Sequence, residues 1–213
     1  MKKRMTQPQD MTCGTPWKLI LMFAVPLILG NIFQELYTIV DTMVVGKKLG
    51  VNALAAVGAT GWVFMFNSML IQGFTQGFGI QIAKMVGEND TVKLKRAISN
   101  SIILSALLSI VLLLGMQLII NPAMHILRIP LNIRDISVTY LRVIFVGIPF
   151  SVAYNIFAVI LRSLGNSKTP LNAMVISTSS NIVLDILFVV GFQWGVIGAA
   201  VATIISQLLS AVY

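Results

Sequence analysis

Long apolar runs separated by short polar punctuation fill the chain from Trp17 onward. A helix of about 20 apolar residues crosses about 30 Å of hydrocarbon, and six such runs are readable, near 17–45, 53–83, 97–120, 137–161, 170–191 and 195–213. Their length makes them helices rather than the shorter strands of a membrane barrel. The breaks between them carry turn chemistry. "MVGENDTVKLKRA" (85–97) sets Gly87, Glu88, Asn89 and Asp90 between two runs, and "LRSLGNSKTP" (161–170) offers Gly165 and Asn166 for a tight turn, with Pro170 opening the next helix. "NPAMHILRIPLNIRD" (121–135), with its two prolines, predicts an irregular or interfacial connection on the outer side. "QGFTQGFGIQ" (72–81), with three glycines and three glutamines, predicts a break in the second run and a polar, pliable inner half, whose alternatives are to line an aqueous path or to pack closely. Pro26 predicts a kink in the first.

The pattern predicts an all-α integral membrane protein: a six-transmembrane-helix bundle over 17–213, a cytoplasmic tail over 1–16, and no soluble domain. The last helix is expected to be cut short, because its apolar run is still in progress at Tyr213. Composition agrees, since a chain that is 57% hydrophobic and only 10% charged, with a mean hydropathy of +0.90, would expose large apolar patches in water.

The net charge of +8 would suit a polyanionic ligand if it were clustered, but its placement reports topology instead. Lys2, Lys3, Arg4, Lys18, Lys84, Lys93, Lys95, Arg96, Arg162 and Lys168 fall on one side of the expected bundle, and Lys47, Lys48, Arg128, Arg134 and Arg142 on the other. The more basic side faces the cytoplasm, which puts the N-terminus there and leaves no reason to expect nucleic acid as a partner. The first run is too long for a secretory signal and holds acids, so it is read as a span. Cys13, the only cysteine, excludes an internal disulfide. His125 reads as a surface imidazole.

Three of the seven acids, Glu35, Asp41 and Asp185, lie inside spans. Each costs about 2.5–3.5 kcal/mol at the centre of an inserted helix, and no Lys or Arg lies in the apolar part of any run, with Arg142 the one doubtful case. Such acids must be protonated or neutralised by a positive species that comes and goes. Asp41 lies about 8 Å below Gly46 and Asp185 about 9 Å below Gly191, both in the outer half, while Thr203 lies about 13 Å in from Trp194. Tyr37 precedes Asp41 by four residues and Asn181 precedes Asp185 by four, each on one helix face. If the first, fifth and sixth spans are neighbours, two carboxylates, an amide and a hydroxyl converge. That set suits Na⁺ or a proton; the structural alternative is an interhelical hydrogen-bond cluster that only holds the bundle together. A weak internal repeat points the same way. "IVDTMVVG" with "AAVGAT" (55–60) is answered by "VLDILFVVG" with "AAVAT" (199–203), either through shared ancestry or through the packing value of small residues.

"VPLILGNIFQELYTIVDTMVVGKKLGVNALAAVGAT" (25–60), "IQIAKMVGENDTVKLKRA" (80–97), "LRSLGNSKTP" (161–170) and "SSNIVLDILFVVGFQWGVIGAAVATIISQ" (179–207) together resemble the N-terminal lobe of multidrug and toxic compound extrusion (MATE) transporters. The resemblance implies cation-coupled (Na⁺ or H⁺) export of drugs or toxic organic cations. It implies a cation or Na⁺ site on Asp41, Asn181, Asp185 and Thr203, with Tyr140 nearby, Pro26 at the helix bend, and Asn155 as a weaker carry-over. Tyr37, Glu35 and Gln34 are candidates to support that site or to line a substrate cavity. No cofactor beyond the coupling ion is implied. Family members have twelve helices in two lobes, so the expected partners are lipid, a small drug or organic cation, and a missing C-terminal lobe or a second half-transporter chain. A single lobe is expected to bind a cation without pumping. The expected location is the plasma membrane, multi-pass, as in a bacterial or archaeal inner membrane. The alternatives are a flippase for a lipid-linked precursor, a non-transporting scaffold, or a truncated inactive product. An enzyme is not expected, for want of a nucleophile, base and oxyanion set.

Overall fold

The computed structural model describes residues 15–213; Lys2, Lys3, Arg4, Cys13 and the rest of the tail up to residue 14 lie outside the described residues. Seven α-helices and one π-helix follow in order: α1 Pro16–Leu49, α2 Val51–Gly87, α3 Thr91–Ile126, α4 Leu131–Val146, α5 Ile148–Ser163, α6 Lys168–Asp185, the π-helix Ile186–Gly191, and α7 Gly195–Val212. Five spans are long and apolar enough to cross a membrane as single units, and α4 with α5, bent by 47° at their junction, makes the sixth. The six expected spans are therefore present, with a helical architecture throughout the described residues.

Three local expectations are corrected, the first two for one physical reason and the third for another. In hydrocarbon the backbone has no water to bond, so a segment at membrane depth keeps its hydrogen bonds within its own helix. Residues 72–81 accordingly do not break α2, despite Gly73, Gly77 and Gly79. Residues 121–135 are not an irregular connection either, because α3 runs through Pro122 to Ile126 and α4 begins at Leu131. The fourth run, expected to be continuous, is broken instead at Gly147, with Pro149 at the start of α5 lacking the N–H that would continue α4. Ile204 of α7 fills the elbow so closely that a Cβ at Gly147 would lie 2.7 Å from its Cγ1.

Turns follow the polar punctuation. Gly50 alone joins α1 to α2, at φ 83° and ψ −177°, a backbone region that essentially only glycine occupies. Asp90 caps α3 by accepting the Lys93 N–H at 2.9 Å, and its carboxylate pairs with Lys93 Nζ at 3.1 Å. The Lys93 backbone N–H, followed by its side chain, holds the Asp90 carboxyl below its usual range.

The helices pack around two regions that share α7. Met116 and Ile120 of α3, Leu141 and Phe145 of α4, and Ile148 and Val152 of α5 form the largest apolar core together with Ile71 of α2. On the other side α1, α6 and α7 pack on one another, so the neighbours required for a shared polar site are in place. Serine hydroxyls fasten the seams to backbone: Ser177 to Ser206 O at 2.9 Å, Ser210 to Ala173 O at 2.7 Å, and Ser163 to Gly79 O at 2.9 Å. Such pairings are characteristic of helix contacts in lipid, where no hydrophobic force draws helices together.

At Gly79 the α2–α5 approach leaves no room, since a Cβ would stand 2.5 Å from Val159 Cγ1, whereas Gly77 has nothing within 4 Å. Gly79→Leu should destabilise by about 1–3 kcal/mol, read as an earlier heat-induced loss of the monodisperse chromatographic peak; Gly77→Leu should match the parent protein. Removing the α3 cap with Asp90→Ala should speed tryptic cleavage at Lys93 and Lys95. Because the folded carboxyl titrates below its ordinary range, the cap is complete above that range and lost on acidification through the folded value, so the parent protein should approach the variant's cleavage rate only in acid.

Candidate cation site

α1 is the least buried helix of the bundle, with only Gly30, Asp41 and Val45 fully enclosed. That an aspartate should be one of those three is the first sign that its position is specific. Asp41 is 7% exposed and Asp185, at the end of α6, is 0% exposed. Their carboxyl groups are hydrogen-bond neighbours, and among the described residues no basic side chain acts on either. Two carboxylates cannot donate to each other, so the contact requires a bound proton or a cation between them. Asp41 Oδ1 and Asp185 Oδ1 are each buried without a hydrogen-bond partner.

Oxygen and amide groups from α1, α6 and α7 complete the surround. With its amide oriented to satisfy both ends, Asn181 donates to Asp185 Oδ2 at 2.9 Å and accepts from the Thr203 N–H at 3.3 Å. Thr203 Oγ1 donates to Ala199 O at 3.1 Å, which leaves it to accept from the Tyr37 hydroxyl at 3.2 Å. Tyr140, also buried, stands close to Tyr37 and to both carboxylates. Thus Asp41, Asn181, Asp185, Thr203 and Tyr37 come together, and Tyr140, which only the family resemblance pointed to, stands beside them. The donor set is oxygen-rich and free of thiol and imidazole, the chemistry of a small hard cation rather than of a transition metal. The two partnerless carboxylate oxygens fit such an ion.

The local backbone beyond Asp185 was not legible in the sequence. Ile186–Gly191 is a π-helix, a form found mostly as short insertions, frequently at functional sites. It ends under a stacked group of Phe188, Phe192 and Trp194, with ring centroids 5.0–6.0 Å apart. Gly198 of α7 packs on the Phe188 backbone, where a Cβ would stand 3.1 Å from the nearest atom.

Next to the acid cluster lies a cavity of about 400 Å³ between α1, α2, α5, α6 and α7. Tyr37, Asn181 and Thr203 belong to both, forming the wall between them. Gln34 and Asn155, candidates either to support the cation site or to line a substrate cavity, line this cavity. Glu35 does not: it is exposed on α1, away from this cavity, because successive helix positions diverge by about 100° and Gln34 takes the inward one. Tyr140 is not among the lining residues either; it supports the acid cluster from behind.

Gln72 and Gln76 of α2, within the stretch that the sequence offered either as the lining of an aqueous path or as a packing surface, face the cavity, whereas sequence reasoning passed over Asn67 of α2, Ser151 of α5 and Gln207 of α7. The signal was present as spacing. Gln72 and Gln76 are four apart, and Thr203, Ser206, Gln207 and Ser210 repeat at three and four, which marks one polar face on an otherwise apolar helix. Ser151 donates to Gln207 and Asn155 donates to the Ser151 carbonyl at 2.8 Å, so part of this polar wall is internally bonded. Arg162, taken in the sequence as a marker of the inner surface, also lines the cavity.

Residues 26–187 match the MatE family model. The "Probable multidrug resistance protein YoeA" of Bacillus subtilis is 31% identical over 90% of this chain and 42% of its own length. Among solved structures, a MOP superfamily transporter from Pyrococcus furiosus superposes with a TM-score of 0.88 at 31% identity, covering 93% of this chain and 44% of that one. A MATE in complex with MaD5 does so with a TM-score of 0.89 at 30% identity, covering 99% and 47%. The chain thus spans a little under half the length of the relatives it matches. With a matching family model over most of its length and the fold of one transporter lobe, this multi-pass membrane chain belongs to the MatE family, the multidrug and toxic compound extrusion transporters, which are not enzymes.

Proposed function

We propose that this chain is the cation-binding half of a cation-coupled antiporter that exports drugs or other toxic organic compounds. The observation that carries the reading is the Asp41–Asp185 contact: two enclosed carboxyls on separate helices, one partnerless oxygen on each, and no basic neighbour. A resident lysine or arginine would make the pair a fixed ion bridge. Without one, the charge balance is completed by a mobile Na⁺ or proton, and a mobile charge can carry a gradient.

Asp41, Asn181, Asp185 and Thr203 hold the ion, with Tyr37 and Tyr140 supporting. The ion reaches them from the outer side, since both acids lie in the outer half of their helices, and the N-terminus lies in the cytoplasm. Coupling runs through the shared wall. Ion occupancy draws on Asp185, whose Oδ2 holds Asn181, and on Thr203, which holds Tyr37; the same three wall residues face the cavity. Cargo and ion therefore alter each other's affinity by the same factor. Pro26, inside α1, is where that helix bends as the site changes state. Pumping needs a second six-helix bundle against which this one rocks, contributed by further chain or by another subunit.

A Na⁺-coupled site should stabilise the protein by about 2.7 kcal/mol at 100 times its Kd, seen as a higher melting midpoint in NaCl than in choline chloride; a proton-coupled site should give the same gain on acidification instead. Asp41→Asn and Asp185→Asn should each remove that gain and, in vesicles where this bundle is paired with a second six-helix bundle, abolish gradient-driven dye efflux while leaving insertion intact; this chain by itself should give no efflux. A scaffold would keep its behaviour in both variants, and a melting midpoint indifferent to both ions in the parent protein would contradict the antiporter reading. Tyr37→Phe should retain the ion-dependent stabilisation within about twofold in Kd yet lose the effect of the ion on cargo affinity.

A further inference from the structure

Among the residues lining the cavity, Arg162 is the one charged side chain. The acids of the neighbouring cluster do not reach it, being screened by Tyr37, Asn181 and Thr203. The ion pairs of the described residues are Lys84–Glu88 and Lys93–Asp90, so among the described residues the Arg162 guanidinium has no carboxylate partner. It is also held in place from behind. The next residue, Ser163, bonds the Gly79 carbonyl at 2.9 Å, where α2 and α5 approach too closely to admit a side chain at Gly79. Gln76, one turn earlier on α2, therefore lies within about 5 Å of the same level and lines the same cavity, with Gln72 a turn further on.

We propose that Arg162 is a subsite for an anionic oxygen group, a carboxylate or a phosphate, on an amphipathic cargo, so that this cavity selects zwitterionic or anionic compounds over simple organic cations. A guanidinium presents five donors in a planar fork matched to two oxygens of one such group, and the glutamine amides supply the further donors that a partly dehydrated anion needs. A permanent cation would find no opposite charge in the cavity and one like charge. The placement of Arg162 at the last turn of α5, on the basic side of the bundle, means that the anionic group occupies the inner end of the cavity and the rest of the cargo extends toward Tyr37 and Asn181. This inference rests on the transporter reading for the claim that the cavity takes cargo, and it names the class of that cargo.

The test uses two dyes that differ by one methyl ester: rhodamine 110, with a free carboxylate, and rhodamine 123, with that carboxylate esterified. Binding is read by fluorescence anisotropy to the protein in phosphatidylcholine nanodiscs. Rhodamine 110 should bind at least tenfold more tightly than rhodamine 123. Arg162→Gln should bring the two within twofold of each other by weakening rhodamine 110 alone, and Arg162→Lys should restore part of the preference. Chromatographic behaviour like the parent's shows that the variants are folded. Phosphatidylglycerol in the nanodisc and inorganic phosphate in solution then separate the sources: competition by the lipid alone assigns the subsite to a headgroup, and competition by neither assigns it to a carboxylate-bearing solute. Equal affinity for both dyes in the parent protein, no binding of either, or equal loss of both in Arg162→Gln overturns the proposal. Asp41→Asn in the same assay keeps the two readings apart, since loss of the ion effect with the dye preference intact leaves the anion subsite standing.

Discussion

An ionised carboxyl inside hydrocarbon has no stable state unless a positive charge stands beside it. Much of the bundle's architecture serves that constraint. α1, which buries almost nothing else, turns Asp41 inward against Asp185; α6 contributes Asn181 one turn before Asp185; α7 delivers Thr203 at the same level. Each helix brings one or two polar groups, and no helix alone could satisfy an acid. The cluster can therefore exist only while the three helices remain packed, which ties the binding of a charge to the integrity of the lobe.

The polar groups of this chain divide by what they bond. Ser177, Ser210 and Ser163 are used up on backbone carbonyls of neighbouring helices, and they hold the seams. Gln72, Gln76 and Arg162 make no such bond and face the cavity. The first group answers the absence of a hydrophobic force between helices in lipid, while the second leaves its donors facing the cavity. A hydrophobicity profile treats both alike, because it registers polarity and not partnership.

The same distinction explains what could be read from the sequence. Asp41 and Asp185 stand out because a charge in an apolar run is rare and expensive, and their helical offsets to Tyr37 and Asn181 follow from the 3.6-residue period. Six spans follow from run length. The glycines of α2 misled, since a run that would loosen a helix in water stays helical where the backbone has no other partner. The elbow at Gly147 is filled by Ile204 of α7, a contact far along the chain, and the π-helix after Asp185 has no local sequence signal, although Gly198 of the next helix packs against Phe188 within it. Arg162 was legible as a charge at a helix end; whether such a side chain turns inward or outward is decided by how α5 rolls against α2.

Gly50 is the whole of the link between the two longest-reaching outer helix ends, and its backbone conformation has no substitute among the other residues. A one-residue joint has no slack. α1 cannot slide along its axis past α2, nor can its outer tip swing away, so this end acts as a fixed pivot. Any displacement of α1 must then grow with distance from that point, small at Asp41, nine residues away, and greatest beyond Pro26. Held at this end, the helix has the geometry of a lever, with the acid close to its fixed point and Pro26 far from it.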